Sequence, residues 1–281
     1  MKKELTYLLN YKYPKILIRF PSLIYLIYFF NYLVQLRKWY VIKSWNNVLK
    51  NSKESFTAID FGCGEAQYIV PFCSHYKNSS FIALDNNIYN KEFCDAFKFK
   101  NLTSICVDLE KEQNLIKADL ALSVGVFQYL KNDDIALLNI YKSLNNGGRF
   151  LLYVPINGNF ITQFYPYIFN KYNQYESINN RKRVYTENEI LLKLNTVGFN
   201  IISKTYTYGW AGKLSHELLN SCTTLIISAN FSIKIVSFLA LLFLFPIILL
   251  LMIIDFNTNK TNGNGILILA SKTNNAKTDS V

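Results

Sequence analysis

The chain has 281 residues, long enough to bury a full core with appendages, and half of them are apolar, with 20 Tyr and 21 Phe. Its net charge of +11 is concentrated early: residues 1–54 hold ten Lys or Arg against Glu4 and Glu54, a balance suited to an anionic lipid surface, and no nucleic-acid-binding module accompanies it. Five scattered cysteines (Cys63, Cys73, Cys94, Cys106, Cys222) lack both the even number of a disulfide framework and the spacing of a metal site, so no metal is expected and a reducing compartment is the simplest setting.

Residues 1–54 read as a basic, aromatic N-terminal helical segment. Within it, residues 16–36 are apolar but interrupted by Arg19, Pro21, Asn31 and Gln35, which predicts a helix lying in a membrane interface or packed on the domain that follows. Lys12, Lys15 and Arg19 break the run that a secretory signal needs, and no small-residue cleavage site follows. The domain that follows is therefore expected at the cytoplasmic face of a membrane.

From residue 55 to 207, short β-rich runs alternate with helical stretches, the pattern of a parallel α/β sheet. Strands are predicted at Phe56–Phe61, Ser80–Leu84, Leu102–Val107, Ala118–Val124, Arg149–Val154 and Asn200–Tyr206. Thr186 and Glu189 have the spacing of a capping box, Tyr185 can staple to Ile190, and Gly198 is a natural C-terminal cap, which together bound one helix. Residues 208–262 are an insertion, 263–271 supply a seventh strand after the turn-forming Asn262-Gly263-Asn264, and the polar residues 272–281 are expected to be disordered.

The insertion contains IVSFLALLFLFPIILLLMII at 235–254, uncharged and about 30 Å long as a helix, which matches the thickness of a hydrocarbon core. A strand at 265–271 must nevertheless rejoin a sheet whose other strands come earlier, so a single crossing fits badly. Three arrangements remain: a re-entrant hairpin bent near Pro246, a helix lying in the interface, or a crossing with the last strand outside the sheet. A buried core or dimer helix is the alternative that needs no membrane.

The chemistry is concentrated in AIDFGCGEA at 58–66, a strand running into a glycine turn. Glycines there let the backbone approach a ligand closely, and Asp85 ends the next strand, where a carboxylate accepts hydrogen bonds from ribose hydroxyls. A nicotinamide dinucleotide needs a third glycine where the chain has Gln67, and Asp60 would repel its pyrophosphate. That carboxylate suits a ligand carrying an ammonium and a sulfonium instead.

With these residues the sequence resembles the class I S-adenosylmethionine-dependent methyltransferases from about Phe56 to Ser271. AIDFGCGEA is similar to the family's first motif, FIALDNN to the second, ICVDLE to the third, ADLALSVGVFQYL to the fourth and LNNGGRFLLYVP to the fifth strand with its glycine turn; YTENEILLKLNTVGF resembles the helix and strand that follow. The resemblance implies a Rossmann-like, doubly wound, seven-stranded sheet and S-adenosyl-L-methionine as cofactor. It implies that Gly62, Gly64, Asp85 (ribose) and Asp108 (adenine) contact that cofactor, and Asp60 directly or through water. Ala66 stands where the family often has glycine; being small, it is expected to have little effect.

Methyl transfer is an in-line displacement, and a base is needed only for acceptors such as hydroxyls. His75, His216, Glu217 and Tyr129 are the candidates: His75 reads as surface, His216-Glu217 as helix surface or site, and Tyr129 as pocket lining or packing. The aromatic segment 157–185, ending in Arg181, Lys182 and Arg183, reads as a lid over an anionic or sugar-bearing acceptor or as a solvated loop. Flanking apolar segments favour a membrane-bound or lipid-linked acceptor. A small soluble acceptor with an apolar dimer interface and an inactive membrane-anchored binding module are the rival readings, and the oligomeric state stays open.

Overall fold

The computed structural model describes residues 16, 19–111, 116–156, 158–172 and 183–273. The early basic residues Lys2, Lys3, Lys12 and Lys15, the lid residues Arg181 and Lys182, and nearly all of the 272–281 tail lie outside the described residues.

Seven strands form one sheet: β1 (Thr57–Phe61), β2 (Ser80–Asp85), β3 (Leu102–Cys106), β4 (Ala118–Val124), β5 (Leu144–Pro155), β6 (Phe199–Thr207) and β7 (Gly265–Lys272). Their order is β3-β2-β1-β4-β5-β7-β6, with β7 antiparallel to both neighbours and the remaining pairings parallel. The chain order reverses between β1 and β4, so the C-terminal strand ends open a crevice there, the place where such sheets bind ligands. Both faces of the sheet are covered, and the period-2 alternation divides its residues between two apolar layers. Ala58, Phe81, Ala83, Leu120, Leu122, Leu151 and Leu267 face one; Ile59, Phe61, Ile82, Leu84, Ala121, Phe150, Leu152 and Ile268 face the other.

Two N-terminal helices, α1 (Ile24–Val34) and α2 (Leu36–Lys50), cover the first layer. Ile24 and Tyr28 anchor α1, whose opposite face leaves Leu26, Phe29 and Phe30 more than half exposed. The segment at 16–36 is thus packed on the domain through one side and apolar to the outside on the other.

After β1 the helix that follows the glycine turn is only one turn long, α3 (Val70–Cys73), because residues 64–69 wind as turns before it. Helix α4 (Ile88–Asp95) links β2 to β3. Helices α5 (Asp133–Ser143) and α7 (Glu187–Val197) cover the second layer, and α6 (Phe164–Tyr172) lies between β5 and the segment outside the described residues. The capping box on α7 is formed: Thr186 Oγ1 accepts from the Glu189 amide at 3.2 Å, and Gly198 closes the helix at φ +106°. Tyr185 and Ile190 are both fully buried beside it.

Between β6 and β7 the chain makes an antiparallel pair, α8 (Trp210–Ser228) and α9 (Phe231–Asn257), reversing at Ala229-Asn230. Asn230 caps α9 through the Ile233 amide at 3.1 Å. The reversal expected near Pro246 does not occur there. Helix α9 runs through Pro246, which removes one main-chain donor, while the turn falls between Ala229, which closes α8, and Asn230, which caps the start of α9. Nor is the last strand outside the sheet, since β7 is hydrogen-bonded on both sides.

Thr207 pairs with Gly265, so the two roots of this helical pair stand together at the C-terminal edge of the sheet. Asp255 locks the root: Oδ1 accepts from the Gly212 amide at 3.1 Å, and Oδ2 accepts from Tyr40 on α2 at 2.9 Å. A side chain at Gly212 would collide with that carboxylate. Away from the root the surface is apolar. Phe231, Ile235, Phe238, Leu242, Phe243, Ile247 and Leu250 form an exposed stripe along α9, and only 22% of its most apolar window is buried.

Candidate active site

The glycine turn is held by the neighbouring strand. Gly62 and Cys63 both donate their amides to the Leu84 carbonyl at 2.8 Å, and Gly64 donates to Asp85 Oδ2 at 2.8 Å. Gly62 has φ +79°, and a Cβ there would lie 2.4 Å from Val126 Cγ2, so both conformation and space demand glycine. Gly64, at φ +52°, has open space around it. Ala66, at φ +52° and fully buried, fits by size but sits in the left-handed region, where an L side chain costs about 1–2 kcal/mol. The substitution of alanine for the family's glycine is therefore conformationally strained and sterically tolerated, a correction to the expectation from size alone.

Asp85 also accepts from the Asn87 amide through Oδ1 at 2.9 Å. A carboxylate has about four acceptor positions, so two remain for ligand hydroxyls after it has fixed the turn. Asp108 stands beyond β3 at the same edge, with Oδ1 accepting from the Glu110 amide at 3.0 Å and Lys111 3.4 Å from Oδ2.

Asp60 is buried, its Oδ2 has no hydrogen-bond partner, and loss of hydration, with the Asp85 charge as a second cause, pushes its carboxyl up to about 8. An orphaned buried carboxyl beside a turn whose first glycine has no room for a side chain and whose second is open to a ligand matches a cationic ligand in close contact with the backbone. The residues present fit S-adenosylmethionine in that respect.

The catalytic candidates divide. His75 is on the surface, 3.1 Å from the Pro71 carbonyl and remote from the strand ends. Tyr129 belongs to a 3-10 turn, Phe127–Tyr129, just after β4; it is half-buried, while Phe127 and Gln128 point inward.

Glu217 is fully buried on α8 and binds the loop before α6: Oε1 accepts from the Ile161 amide at 2.8 Å, and Oε2 from the Thr162 amide at 2.7 Å and hydroxyl at 2.6 Å. It is a latch for that loop, with three of its roughly four acceptor positions taken by residues 161 and 162.

His216, one residue earlier, touches solvent in the cleft yet is ringed by protein. Its imidazole lies 5.2 Å from the Tyr208 ring and 6.1 Å from the Tyr165 ring. Loss of hydration, then the Arg37 charge, lowers its pKa to about 4, so the ring is neutral near pH 7, with Asn220 Nδ2 2.9 Å from its Nδ1 and 3.1 Å from its Nε2. Arg183, expected to face an acceptor, turns inward and pairs with Asp133 at 2.7 Å.

Several residues that sequence patterns did not single out complete the cleft. Arg37, at the start of α2, lies over the Tyr153 ring at 5.7 Å and beside the phenols of Tyr68 and Tyr208. Its Nη1 would lie 3.0 Å from a Cβ at Gly125, the residue after β4. Tyr208 accepts from the Arg37 amide at 3.0 Å and is held at φ +56°, a strained conformation for an aromatic residue of the kind that collects at functional sites. Tyr208 directly follows a strand end, a signal the sequence offered; Arg37 carried none, being one basic residue among ten.

The N-terminal helices are fastened to the cofactor turn. The Tyr28 hydroxyl donates to the Glu65 carbonyl, and Lys38 donates to the Tyr28 carbonyl at 3.0 Å. Burial, with Arg37 adding to it and Glu65 opposing, lowers the Lys38 ammonium to about 8.

Residues 59–152 match the methyltransferase domain family. Over 106 residues the chain is 27% identical to the (S)-coclaurine N-methyltransferase of Thalictrum flavum subsp. glaucum, a match that covers 36% of this chain and 29% of that protein. The fold is similar to a coclaurine N-methyltransferase solved with N-methylheliamine and SAH (TM-score 0.55, 13% identity, 83% of this chain and 70% of that one). It is similar as well to the cyclopropane synthase MmaA2 of Mycobacterium tuberculosis (TM-score 0.55, 14% identity, 82% and 84%). The matched domain, the strand order and the glycine turn together identify this chain as a carrier of the class I S-adenosylmethionine-dependent methyltransferase fold.

Proposed function

We propose that this protein transfers a methyl group from S-adenosylmethionine to a membrane-bound acceptor. The carrying observation is the rooting of the apolar α8–α9 pair at the sheet edge that also holds the glycine turn, so a surface suited to lipid adjoins the cleft.

Bound there, the cofactor supplies an electrophilic methyl on a positively charged sulfur. Asp85 would hold the ribose and Asp108 the adenine, with Asp60 balancing the cationic end of the molecule. Gly62 and Gly64 leave the backbone open to close approach, and Glu217 fastens the loop at 158–163 across α8, limiting water at the reacting centre. A hydroxyl acceptor must lose a proton, and neutral His216 would take it by exchanging its contact with Asn220 for the acceptor. An amine acceptor that arrives deprotonated needs no such step.

Both ends of the α8–α9 pair return to the same sheet edge, so immersion of α9 takes α8 with it as a hairpin whose tip lies about 28 Å along α8 from its root. Free thiols and the basic N-terminal residues favour the cytoplasmic, anionic side of that membrane. A second copy of the chain could cover the same stripe, which would make the acceptor soluble.

Calorimetry and flotation test these statements together. Wild type is expected to bind S-adenosylhomocysteine, to lose that binding in Asp85→Ala and to give no heat with NADH. Absence of binding in folded wild type would overturn the enzyme reading. Protein mixed with anionic liposomes should float, and Phe238→Lys with Leu242→Lys should stay below. A dimer in detergent-free buffer that ignores liposomes would assign the stripe to a partner copy.

A further inference from the structure

The half of the cleft beyond β4 holds an arginine with no acid to answer it. Arg37 has no carboxylate within ion-pair distance among the described residues, and its Nε is buried without a hydrogen-bond partner. The carboxylates of neighbouring elements are engaged elsewhere: Glu217 with the loop at 161–162, and Asp255 with Gly212, Tyr40 and Lys260. Around the guanidinium stand Tyr68 and Gln128, both more than nine-tenths buried; the Tyr68 phenol leans on the guanidinium without reaching good hydrogen-bond geometry, and Gln128 Oε1 is unpartnered.

A buried donor left unmatched destabilises the fold, and an uncompensated buried charge does so more. The Tyr153 ring offsets part of this through its negative face, but a ring face does not satisfy N–H groups in the guanidinium plane. The remaining nitrogens open to the cleft, beside Gly125, where a side chain would press on Nη1.

Position separates this group from the cofactor half. Asp60, Asp85 and Asp108 lie at the ends of β1, β2 and β3, whereas Arg37 lies over residues that follow or belong to β4, β5 and β6, and Tyr68, on the turns after β1, stands at the boundary between Asp60 and Arg37. We infer that Arg37 is the anchor for a negatively charged group of the acceptor, a phosphate or carboxylate, held by the guanidinium with the Tyr68 hydroxyl as second donor. This inference rests on the reading of that half as the acceptor site. With the apolar surface adjoining it, the acceptor class becomes an anionic amphiphile, its charged head on Arg37 and its chain toward the lipid.

The test uses the full chain loaded with S-adenosylhomocysteine, titrated with monomeric decyl phosphate and with decanol as the uncharged control. Decyl phosphate should bind wild type, bind Arg37→Gln at least tenfold more weakly, and recover in part with Arg37→Lys; decanol should not distinguish the three. Unchanged affinity for S-adenosylhomocysteine in each variant reports an intact fold and cofactor half.

Decyl phosphate that fails to bind wild type, or that binds Arg37→Gln equally well, overturns the inference. So does a parallel tenfold loss of S-adenosylhomocysteine, which would place Arg37 in the cofactor half. Should wild type bind no S-adenosylhomocysteine, the methyltransferase reading fails separately, and the same titration of the unloaded variants judges Arg37. Competition by phosphatidate vesicles and not by glycerol 3-phosphate assigns the anion to a lipid head. The reverse keeps the Arg37 site and overturns the membrane-bound acceptor.

Discussion

The cofactor half of the cleft is assembled from residues 60–108, at the ends of three successive parallel strands, and its charged groups are carboxylates. The proposed acceptor half draws Arg37 from α2, Tyr68 from the turns before α3, Gln128 from the 3-10 turn, Tyr153 from β5, Tyr208 from beyond β6 and His216 from α8; the charged side chain without a partner there is Arg37, while the Glu217 carboxylate behind His216 is held by the loop at 161–162. One half is built by backbone geometry and short loops, the other by long-range packing of side chains. Their opposite polarity suits a cationic donor on one side and an anionic acceptor on the other, each drawn to its own half.

If backbone geometry governs the first half, Gly62→Ala should be the most damaging single change. The added Cβ meets Val126 at 2.4 Å and sits at φ +79°, so we expect a stability loss of about 2–4 kcal/mol and at least a hundredfold weaker S-adenosylhomocysteine binding. Gly64→Ala, with open space and only the φ penalty, should lose about 1–2 kcal/mol. Thermal melts and calorimetry on the pair check this; equal effects would show that space at Gly62 does not matter.

If side-chain packing governs the second half, Glu217→Ala should divide function from cofactor binding. Three hydrogen bonds to residues 161 and 162 are lost, at about 3 kcal/mol of stability. Turnover should fall at least tenfold while S-adenosylhomocysteine affinity changes less than twofold. A matching loss of cofactor affinity would mean that the loop belongs to both halves.

That contrast decides what the sequence made legible. The seven strands, the glycine turn and the carboxylate at the end of β2 follow from period-2 runs, Gly-x-Gly and one Asp, all signals local in sequence. The cap of α7 was readable for the same reason, since Thr186 and Glu189 are three residues apart. Arg37 was not, because what distinguishes it from Lys43 or Lys53 is that three tyrosines from distant elements converge on it.

Glu217 and His216 were visible as a pair of candidates, but adjacent positions on a helix point about 100° apart, and only the packing of α8 shows which meets the loop and which the cleft. The turn at Ala229-Asn230 was obscured by Pro246, the stronger local punctuation mark inside a helix whose neighbours hold it straight enough to continue.

The smallest expected effect is a pH dependence in the cofactor half alone. Burial and the Asp85 charge raise the Asp60 carboxyl from an ordinary 3.8 to about 8, so the empty protein retains a proton there at neutral pH. Because the folded value lies above the unfolded one, the fold binds more protons than the unfolded chain between the two values. The stability Asp60 contributes is present below about pH 4 and is lost as pH rises toward 8.

A cationic ligand favours the ionised form, so S-adenosylmethionine should bind with proton release and tighten from pH 6 to 8 by less than tenfold per pH unit. S-adenosylhomocysteine, which keeps the ammonium but lacks the sulfonium charge, should tighten less, and Asp60→Asn should flatten both curves. Decyl phosphate at Arg37 should show no dependence on that substitution. Calorimetry in buffers of different ionisation enthalpy measures the protons directly: release that persists unchanged in Asp60→Asn would place the titrating group elsewhere and remove the electrostatic division between the halves.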